Sequence, residues 1–430
     1  MNKMNLLITL AIPALLCQTA QAQTSRLTAA ANWAHNGAEF KRQDSTAFDY
    51  ASTARGGDLN NLLKFDNATS WTFMMGDTAT NNMHAVQTFD ANNNLLSTVT
   101  QNWDGVFTFA WVNQFRYLYT YNAANKKTSM ITQHWDGSMA WITDAKNVYS
   151  YNAANQLFLD QYQTWDGVSA YVPASQKIYY YDAAGNKSNE TDAVFVAGTP
   201  NFTNDIDYTY SATNQLLTQT NNNWSGSAWV PNDRYTSTYD TTGNRTNELY
   251  EFYTGVEFVN STQKVFSDFT TGHMPQTEID QTWNSTGTGS WDNQYKYMYT
   301  YNAANQLTSS MRQSNDISIG WTNAFGDPKA NYYYGTFASA VANVSNNGGD
   351  AAIYPIPAQG TLNVDLKWNQ AQAATVTICD IQGKVVDTWS TPSATQNHHS
   401  INISNYADGM YIVKVNGAQG QIVKQIVVAH

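Results

Sequence analysis

The sequence predicts an all-β protein: a repetitive antiparallel sheet of β-hairpins, a solenoid or spiral, followed by a small C-terminal β-sandwich of immunoglobulin-like type. Aromatic residues followed by a polar turn-former recur about every 30 residues through the middle of the chain. Within these units apolar and polar residues alternate with a period of two, as at residues 117–121. Near the C-terminus the pattern changes to short strands rich in Val and Ile.

Composition bounds the class of protein. At 430 residues the chain has room for two or three domains, and 13% aromatic residues is more than a disordered chain carries. The net charge of −11 argues against nucleic-acid binding, which requires clustered Lys and Arg. The same charge argues against adhesion to anionic lipid.

The first 22 residues have the pattern of a secretory signal peptide. Lys3 precedes an apolar run at residues 6–16 and a small-residue site that ends at Ala22. We expect cleavage between Ala22 and Gln23. No later segment is apolar enough to span a bilayer, so the mature chain is predicted to be exported and not membrane-spanning.

Residues 23–80 precede the clear repeats and contain Trp33, Phe40, Phe48 and Trp71 among polar spacers. Terminal repeats of a solenoid diverge from the internal ones because they act as caps. We therefore predict that residues 23–80 form an N-terminal cap region and that residues 81–345 form the repeat domain.

Each repeat has an anchor and a turn. The anchors are Phe89, Tyr121, Tyr151, Tyr181, Tyr210, Tyr239, Phe269, Tyr301 and, more loosely, Tyr334. The residue after the anchor is a turn-former, and the fourth residue after it is Asn or Gly, which best tolerate positive φ. His273 breaks this rule beside Gly272, which predicts a turn shifted by one residue.

A second aromatic series follows fourteen residues after the anchors. It includes the candidate ligand-binding aromatics Trp103, Trp135, Trp165, Trp224 and Trp283. A Gly-containing turn and another aromatic close each unit, which predicts strand, tight turn, strand, Gly turn and short strand. The competing interpretation is that these Trp side chains form the core, because repeated aromatics are more often buried.

Two of the repeats resemble a known family. Residues 179–186 read YYYDAAGN and residues 239–245 read YDTTGNR. They resemble the YD repeat of Rhs and teneurin-type proteins, with the core pattern Y-D-x-x-G-N/R. The resemblance covers residues 85–335, although most copies carry Asn for Asp and Asn for Gly. The resemblance implies a spiralling sheet of β-hairpins. Eight clear units are too few to enclose a toxin, so we transfer only the architecture of the family to this chain and not its cargo function.

The composition changes again after the repeats. Residues 346–352 contain Asn-Asn-Gly-Gly-Asp and are predicted to be a flexible linker. Short sandwich strands are predicted in residues 353–430, at 362–364, 375–378, 384–386, 401–403, 411–415 and 425–428. His398 and His399 fall between two of these strands and are predicted in a solvated loop.

Four ordered motifs run through this last segment: YPIP from residue 354, DIQGKVV from 380, DGMYIVKV from 408 and KQIVV from 424. They are similar to the type A C-terminal sorting domain of type IX secretion cargo from Bacteroidota. The matching residues are Tyr354, Pro355, Pro357, Gly383, Gly409, Tyr411 and Lys424. The resemblance implies passage through the periplasm and across the outer membrane by the type IX machinery, followed by release or attachment to surface lipopolysaccharide.

No catalytic constellation stands out in the sequence. The seven His residues form no metal-ligand spacing, and neither a Gly-x-Ser-x-Gly motif nor a phosphate-binding Gly loop occurs. Asp104, Asp136 and Asp166 recur once per repeat, which indicates a turn role, because a catalytic carboxylate pair is a singular site. We therefore predict that the chain is not an enzyme and uses no cofactor and no metal.

The sequence favours a secreted or cell-surface β-repeat protein with a binding, adhesion or structural role. An alternative is a carbohydrate-binding protein whose repeated Trp and Tyr residues stack on glycans or surface polysaccharide. A third hypothesis, an enzyme with a site in residues 23–80, would be supported by hydrolysis of a polysaccharide or a peptide.

Overall fold

The computed structural model of the chain describes residues 25–50, 63–74, 78–286, 289–336, 348–380, 384–418 and 420–430. These described residues form strands and turns, with no helix among them. Neighbouring strands pair antiparallel, which confirms the predicted all-β, antiparallel class. The signal peptide, its cleavage site at Ala22 and Gln23, and Gly383 lie outside the described residues.

The chain divides into two compact units. The first unit comprises Met1–Val86, Asn102–Val112 and Pro328–His430, and the second comprises Gln87–Gln101 and Asn113–Asp327. The first six strands, some of which contain residues of both units, are β1 (Ser25–His35), β2 (Phe40–Asp49), β3 (Asn67–Met74), β4 (Thr78–Phe89), β5 (Leu95–Asp104) and β6 (Ala110–Tyr121). The remaining repeat strands are β7 (Lys127–Trp135), β8 (Trp141–Tyr151), β9 (Leu157–Trp165), β10 (Tyr171–Tyr181), β11 (Lys187–Val196), β12 (Thr199–Tyr210), β13 (Leu216–Trp224), β14 (Trp229–Tyr239), β15 (Arg245–Tyr253), β16 (Phe258–Phe269), β17 (Pro275–Asn284), β18 (Ser290–Tyr301), β19 (Leu307–Asp316), β20 (Gly320–Thr322) and β21 (Pro328–Thr336).

In the second unit each strand from β6 to β19 pairs with the next one in the chain. Alternate turns therefore lie at opposite edges of the sheet. One edge, here called the polar turn edge, holds the turns at residues 122–126, 152–156, 182–186, 211–215, 240–244, 270–274 and 302–306. The other, the apolar turn edge, holds the Gly turns at 136–140, 166–170, 196–199, 225–228, 254–257 and 316–320.

The polar turns are built by the residues that the sequence singled out. In the turn after Tyr121, the Asn122 side-chain oxygen accepts the N–H groups of Ala124 (3.0 Å) and Lys126 (2.9 Å), while Asn125 adopts φ 57°. The equivalent position is left-handed in each of these seven turns, which is why six of them hold Asn or Gly there.

The turn at His273 corrects one expectation. His273 itself takes the left-handed position with φ 64°, and its N–H donates to the Thr270 carbonyl at 3.0 Å, as in the other repeats. The turn is therefore not shifted by one residue. The His273 Nδ1 atom lies 2.7 Å from Asn244 Oδ1 in the preceding polar turn, a contact between turns that a local pattern does not reveal.

The anchor tyrosines tie successive repeats together. Tyr151 donates its hydroxyl to the Lys127 carbonyl at 2.7 Å, across to the strand that begins after the preceding polar turn. The same bond is made by Tyr121, Tyr181, Tyr210, Tyr239 and Tyr301. A β-bulge lies next to each of these anchors, and bulges re-aim the neighbouring side chain.

The repeat strands are half-buried on both faces. In strand β7, for example, one residue is buried and the other eight are half-buried. This differs from a sheet that packs one face on a core, where buried and exposed residues alternate strictly. Cross-strand pairs and the tyrosine hydrogen bonds therefore carry much of the cohesion between repeats.

In the first unit the residues predicted to form the N-terminal cap contain the strands β1, β2 and β3. Strand β1 pairs with β2 and also with β21, which brings Ser25 opposite Thr336. Strand β3 pairs with β2 and with β4. The strands of residues 25–74 are thus ordinary sheet members, and the end of the repeat series pairs with the first described strand.

The C-terminal segment forms one five-stranded sheet of β22 (Gly349–Tyr354), β23 (Thr361–Asp380), β24 (Val385–Asn402), β25 (Gly409–Gly417) and β26 (Gly420–Val428). Strand β22 begins inside the predicted linker, because Gly349 already pairs with Trp368. The short strands predicted at 362–364 and 375–378 are one long strand, β23, whose register with β24 shifts between Lys367 and Ala374. The immunoglobulin-like sandwich stays a prediction.

This C-terminal sheet has the densest core of the described chain. Val364, Val376, Val413 and Val428 are almost fully buried on its inner face, and polar residues alternate with such positions along β23. Ala29 and Trp71 of the first unit belong to the same apolar cluster. Burial of apolar surface contributes about 25 cal/mol per Å², so this cluster stabilises the first unit.

Candidate functional site

Every Trp of the candidate series is paired with an aromatic ring across its Gly turn. Trp135 faces Trp141 with ring centroids 5.1 Å apart and planes at 68°, an edge-to-face arrangement. The other candidates pair in the same way: Trp165 with Tyr171 (5.0 Å), Trp224 with Trp229 (5.0 Å), Trp283 with Trp291 (4.9 Å) and, in the first unit, Trp103 with Trp111 (5.2 Å). Such pairs add about 0.5–1.5 kcal/mol beyond area burial.

These aromatic pairs are neither buried core nor free surface. Trp103, Trp135, Trp165 and Trp283 are half-buried, and Trp224 is 38% exposed. Each ring contacts its partner on one side, and part of its remaining surface is exposed to solvent. The structure therefore brings together two aromatic series that the sequence showed separately, and in the second unit each pair lies at the strand ends next to a turn of the apolar turn edge.

The Gly turns beyond the pairs are held by carboxylates. Asp166 Oδ1 accepts the N–H groups of Val168 (2.8 Å), Ser169 (2.8 Å) and Ala170 (3.1 Å). These backbone donors, Ala170 first, lower the pKa of Asp166, and the Ser138 hydroxyl lowers the pKa of Asp136 in the same way. The recurrent Asp residues thus serve the turns and stay ionised.

Large apolar side chains stand at the tips of these turns. In the second unit Met139 is 88% exposed, Val168 82%, Val256 86% and Ile317 100%, while Val196 and Ile319 are also exposed. Sequence reasoning missed these residues because it followed the aromatics. The signal that could have found them is an aliphatic residue one to three positions after the turn-forming Asp, Thr or Gly.

Basic side chains lie behind the aromatic pairs and stack on them. The Arg116 guanidinium is 4.8 Å from the centre of the Trp141 ring, Lys146 Nζ is 5.5 Å from that of Tyr171, and Arg234 is 4.2 Å from that of Phe258. Cation–π attraction contributes about 0.5–1 kcal/mol at exposed sites.

The middle of the repeat strands carries ion pairs that sequence reasoning did not anticipate. Glu278 is almost fully buried and accepts hydrogen bonds from Lys264 Nζ (2.7 Å) and the Tyr299 hydroxyl (2.9 Å). Burial raises the pKa of the neighbouring Asp280 to about 6, and the nearby Glu278 charge acts in the same direction. Lys264 and Tyr299 stabilise the buried Glu278 carboxylate, whereas the two carboxylates disfavour each other's ionised form.

Concave surface is limited in the second unit. A cavity of about 300 Å³ is lined by Leu216, Gln219, Asn221, Tyr235, Ser237 and Glu248. Among the residues that the structure describes, no cluster of His, Cys, Asp and Glu is arranged to hold a metal ion.

One row on the C-terminal sheet has the distances of a Ser-His-Asp set. His398 Nδ1 lies 2.5 Å from Asp365 Oδ1, and His398 Nε2 lies 3.1 Å from Ser400 Oγ. Ser400 donates its proton to Asn363 Oδ1 (2.7 Å), so that proton is not directed at the imidazole. The row is a solvent-exposed cross-strand network, and His398 and His399 lie on β24, not in the predicted loop.

The described residues of the sorting motif occupy structural positions. Tyr354 ends β22 and donates its hydroxyl to Asp365 Oδ2 at 2.8 Å, and Pro355 and Pro357 follow it through cis peptide bonds. Gly409 starts β25 with φ 151°, Tyr411 donates to the Ala407 carbonyl at 2.9 Å, and Lys424 lies opposite Val413 on β26.

Comparisons with known proteins identify the C-terminal segment. Residues 352–429 match the family described as the secretion system C-terminal sorting domain. No curated protein matches the chain.

Three solved structures are similar to parts of the chain. A porin-like protein from Bacteroides uniformis is 11% identical over 59% of this chain and 96% of its own, with a TM-score of 0.29. A DUF3836 family protein from Bacteroides vulgatus is 23% identical over 20% of this chain and 86% of its own, with a TM-score of 0.16. A TcdB2-TccC3 structure is 9% identical over 93% of this chain and 24% of its own, with a TM-score of 0.26. These TM-scores are too low to define a shared fold.

The C-terminal segment therefore belongs to the sorting-domain family, which confirms the resemblance seen in its motifs. That domain marks a protein for type IX secretion to the cell surface or the extracellular space, and it implies engagement with the secretion machinery. Within the described part of the chain, no helix has the length and apolar character needed to cross a membrane.

Proposed function

We propose that the repeat sheet of this exported chain is a non-catalytic scaffold that binds another macromolecule through the apolar turn edge, in an adhesive role. The observation that supports it most strongly is the row of exposed aliphatic tips at Met139, Val168, Val256 and Ile317. Exposing such groups forfeits about 0.8 kcal/mol per CH₂ that burial would recover. Because these residues recur on turns of one edge of the sheet, they offer a partner several apolar contacts along one line.

The polar turn edge shows that apolar tips are not needed to build a turn in this sheet. At that edge the turns carry small residues, such as Ala124, Ala154, Ala184 and Ala304. Turn formation therefore does not explain the aliphatic residues of the other edge, whereas binding of a partner does.

An attachment assay tests the proposal. Cells that display the full chain are applied to a protein-coated surface. The edge variant carries Met139→Ser, Val168→Ser, Val256→Ser and Ile317→Ser, and the matched control carries Ala124→Ser, Ala154→Ser, Ala184→Ser and Ala304→Ser. We expect attachment to fall to background for the edge variant and to persist for the control. Attachment of the edge variant at the level of the unmodified chain would refute the proposal.

A second candidate function is glycan binding by the aromatic pairs. It is favoured by their part exposure and their recurrence, because flat rings at the surface can stack on sugar faces. The test is a glycan array with the full chain and with a variant carrying Trp135→Ala and Trp165→Ala. Loss of a glycan signal in a folded Trp variant, with the signal kept in the edge variant, would favour this candidate. No signal from the unmodified chain would remove it.

A further inference from the structure

The rim of the apolar turn edge is acidic. Its turns at residues 136–140, 166–170, 196–199, 225–228, 254–257 and 316–320 hold the carboxylates Asp136, Asp166, Glu257 and Asp316 and no Lys, Arg or His. Three of these carboxylates are fixed in place by N–H groups of their own turns, at 2.7 Å from Ser138, 2.8 Å from Val168 and 2.7 Å from Ser318. Four of these six turns therefore carry both an aliphatic tip and a carboxylate.

Two basic residues that stack on the aromatic pairs also bind other side chains. Arg234 pairs with Glu251 at 2.8 Å and stacks on Phe258, and Arg116 donates to Gln133 at 2.8 Å and stacks on Trp141. They belong to the strands behind the aromatic pairs. The same rings thus accept cations within the chain, and the rim in front of them has no cation of its own sequence.

The spacing of the tips limits the shape of a partner. The Gly turns from 136–140 to 254–257 follow one another at two-strand intervals, which is about 9–10 Å at the usual spacing of paired strands, whereas the turn at 316–320 lies four strands beyond the turn at 254–257. Side chains seven residues apart along an α-helix are about 10.5 Å apart, whereas alternate residues of an extended chain repeat at roughly 7 Å. A helix laid along the edge can therefore meet Met139, Val168 and Val196, the tips of three consecutive turns, with one face.

From these three observations we infer that the apolar turn edge binds a cationic amphipathic helix of a partner protein. This inference rests on the proposed function and names the partner's chemistry: aliphatic residues contact tips such as Val168 and Val256, and Lys or Arg beside them faces Asp136, Asp166 and Asp316. An anionic lipid surface is disfavoured by the same carboxylates, because like charges repel.

The experiment measures binding of the full chain to two synthetic peptides of about 18 residues, long enough to be helical when bound. One has Leu on one helical face and Lys on the other, and its counterpart has Glu in place of Lys. We expect the Leu/Lys peptide to bind at least roughly tenfold more tightly. Raising the ionic strength from about 0.1 M to about 1 M should weaken it, since the screening length falls from about 10 Å to about 3 Å.

Two variants separate the contributions. The edge variant defined above removes the tips, and a charge variant carries Asp136→Asn, Asp166→Asn and Asp316→Asn, which keeps a turn-forming side chain at each site. Both should bind the Leu/Lys peptide roughly tenfold more weakly, with urea unfolding midpoints unchanged to show that they fold. The control variant of the polar turn edge should bind as the unmodified chain does.

Other outcomes overturn the inference. Equal binding of the Leu/Glu peptide would remove the charge argument, and binding to phosphatidylcholine or phosphatidylglycerol vesicles that is lost in the edge variant would make lipid the occupant. Dimerisation that is lost in the edge variant would make a second copy the occupant. If cell attachment depends on the tips while neither peptide binds, the proposed function stands and only this inference fails.

Discussion

The turns at the two edges of the repeat sheet differ in their residues and in their regularity. At the polar turn edge, residues such as Asn122 and Asn125 repeat nearly the same turn, with the same backbone bonds of 2.8–3.1 Å between the first and fifth and the first and fourth residues. At the apolar turn edge the turns differ in length, since the paired aromatics are separated by five residues at Trp224 and eight at Trp283. The invariant edge sets the architecture, and the variable edge is free to carry a binding surface.

The largest effect should come from a turn at the polar edge. Asn155 adopts φ 59°, and a β-branched side chain there pays about 1–2 kcal/mol for the left-handed conformation. We expect Asn155→Val to lower the free energy of unfolding by that amount in a urea titration.

Asn155→Gly is the matched control for this change, because Gly adopts positive φ without the Cβ penalty. It should leave the unfolding midpoint nearly unchanged. If Val and Gly behave alike at this position, the left-handed turn is not what fixes the polar edge.

A smaller effect is expected where the polar edge ties neighbouring repeats. Tyr151→Phe removes the hydroxyl that donates to the Lys127 carbonyl, and a typical hydrogen bond contributes about 0.5–1.5 kcal/mol. Unfolding measured by urea should show a loss of this size.

The reverse change at another anchor gives an internal comparison. Phe269 stands at the anchor position of its repeat without a hydroxyl, so Phe269→Tyr should gain stability if the bond forms there as in the Tyr repeats. Loss in the first variant and no gain in the second would mean that the hydroxyl acts only in its native surroundings. If Tyr151→Phe leaves the free energy of unfolding unchanged, the anchor hydrogen bond does not stabilise the fold.

Local features of this fold were predictable from the sequence, and non-local ones were not. Each turn with Asn or Gly at the left-handed position is determined by five consecutive residues, so the repeat could be recognised in the sequence. The place of His273 was not, because its partner Asn244 lies in another turn. His398 was assigned to a loop because β24 continues through polar residues that only their pairing with β23 identifies as strand.

The candidate site shows the same division. The pairing of Trp135 with Trp141 was not predicted, although it is local to one hairpin and the spacing of the two aromatic series could have indicated it. How far the rings are exposed depends on what covers each face of the sheet, which no single hairpin encodes. The exposed tips were readable in principle, since Met139 and Val168 sit beside a turn Gly.

The strands between the two edges should respond to pH. The folded-state pKa of Asp280 is raised by burial to about 6 from 3.8, so the folded state binds the proton more tightly than the unfolded chain does. Its stabilising contribution is complete below 3.8 and is lost as the pH rises through about 6. Asp280→Asn should flatten that part of the stability curve and raise stability at neutral pH.

Lys264 lies 3.9 Å from Asp280 and lowers its pKa, so the effect is smaller than burial alone would produce. Urea midpoints of the variant and the unmodified chain across this pH range give the measurement. Parallel curves for the two proteins would show that Asp280 ionises in the folded state as it does in the unfolded chain.

The smallest change in stability is expected at the apolar turn edge, and it is the one that separates the two edges most sharply. Met139, Val168, Val256 and Ile317 are almost fully exposed, so replacing each by Ser removes little buried surface and should shift the free energy of unfolding by less than about 0.5 kcal/mol. The Asp-capped turns beneath Met139 and Val168 keep their backbone hydrogen bonds in these variants. Unchanged urea midpoints together with lost attachment would assign these residues to binding, whereas a clear loss of stability would mean that the tips pack against something in the folded protein and that the two edges share the structural role.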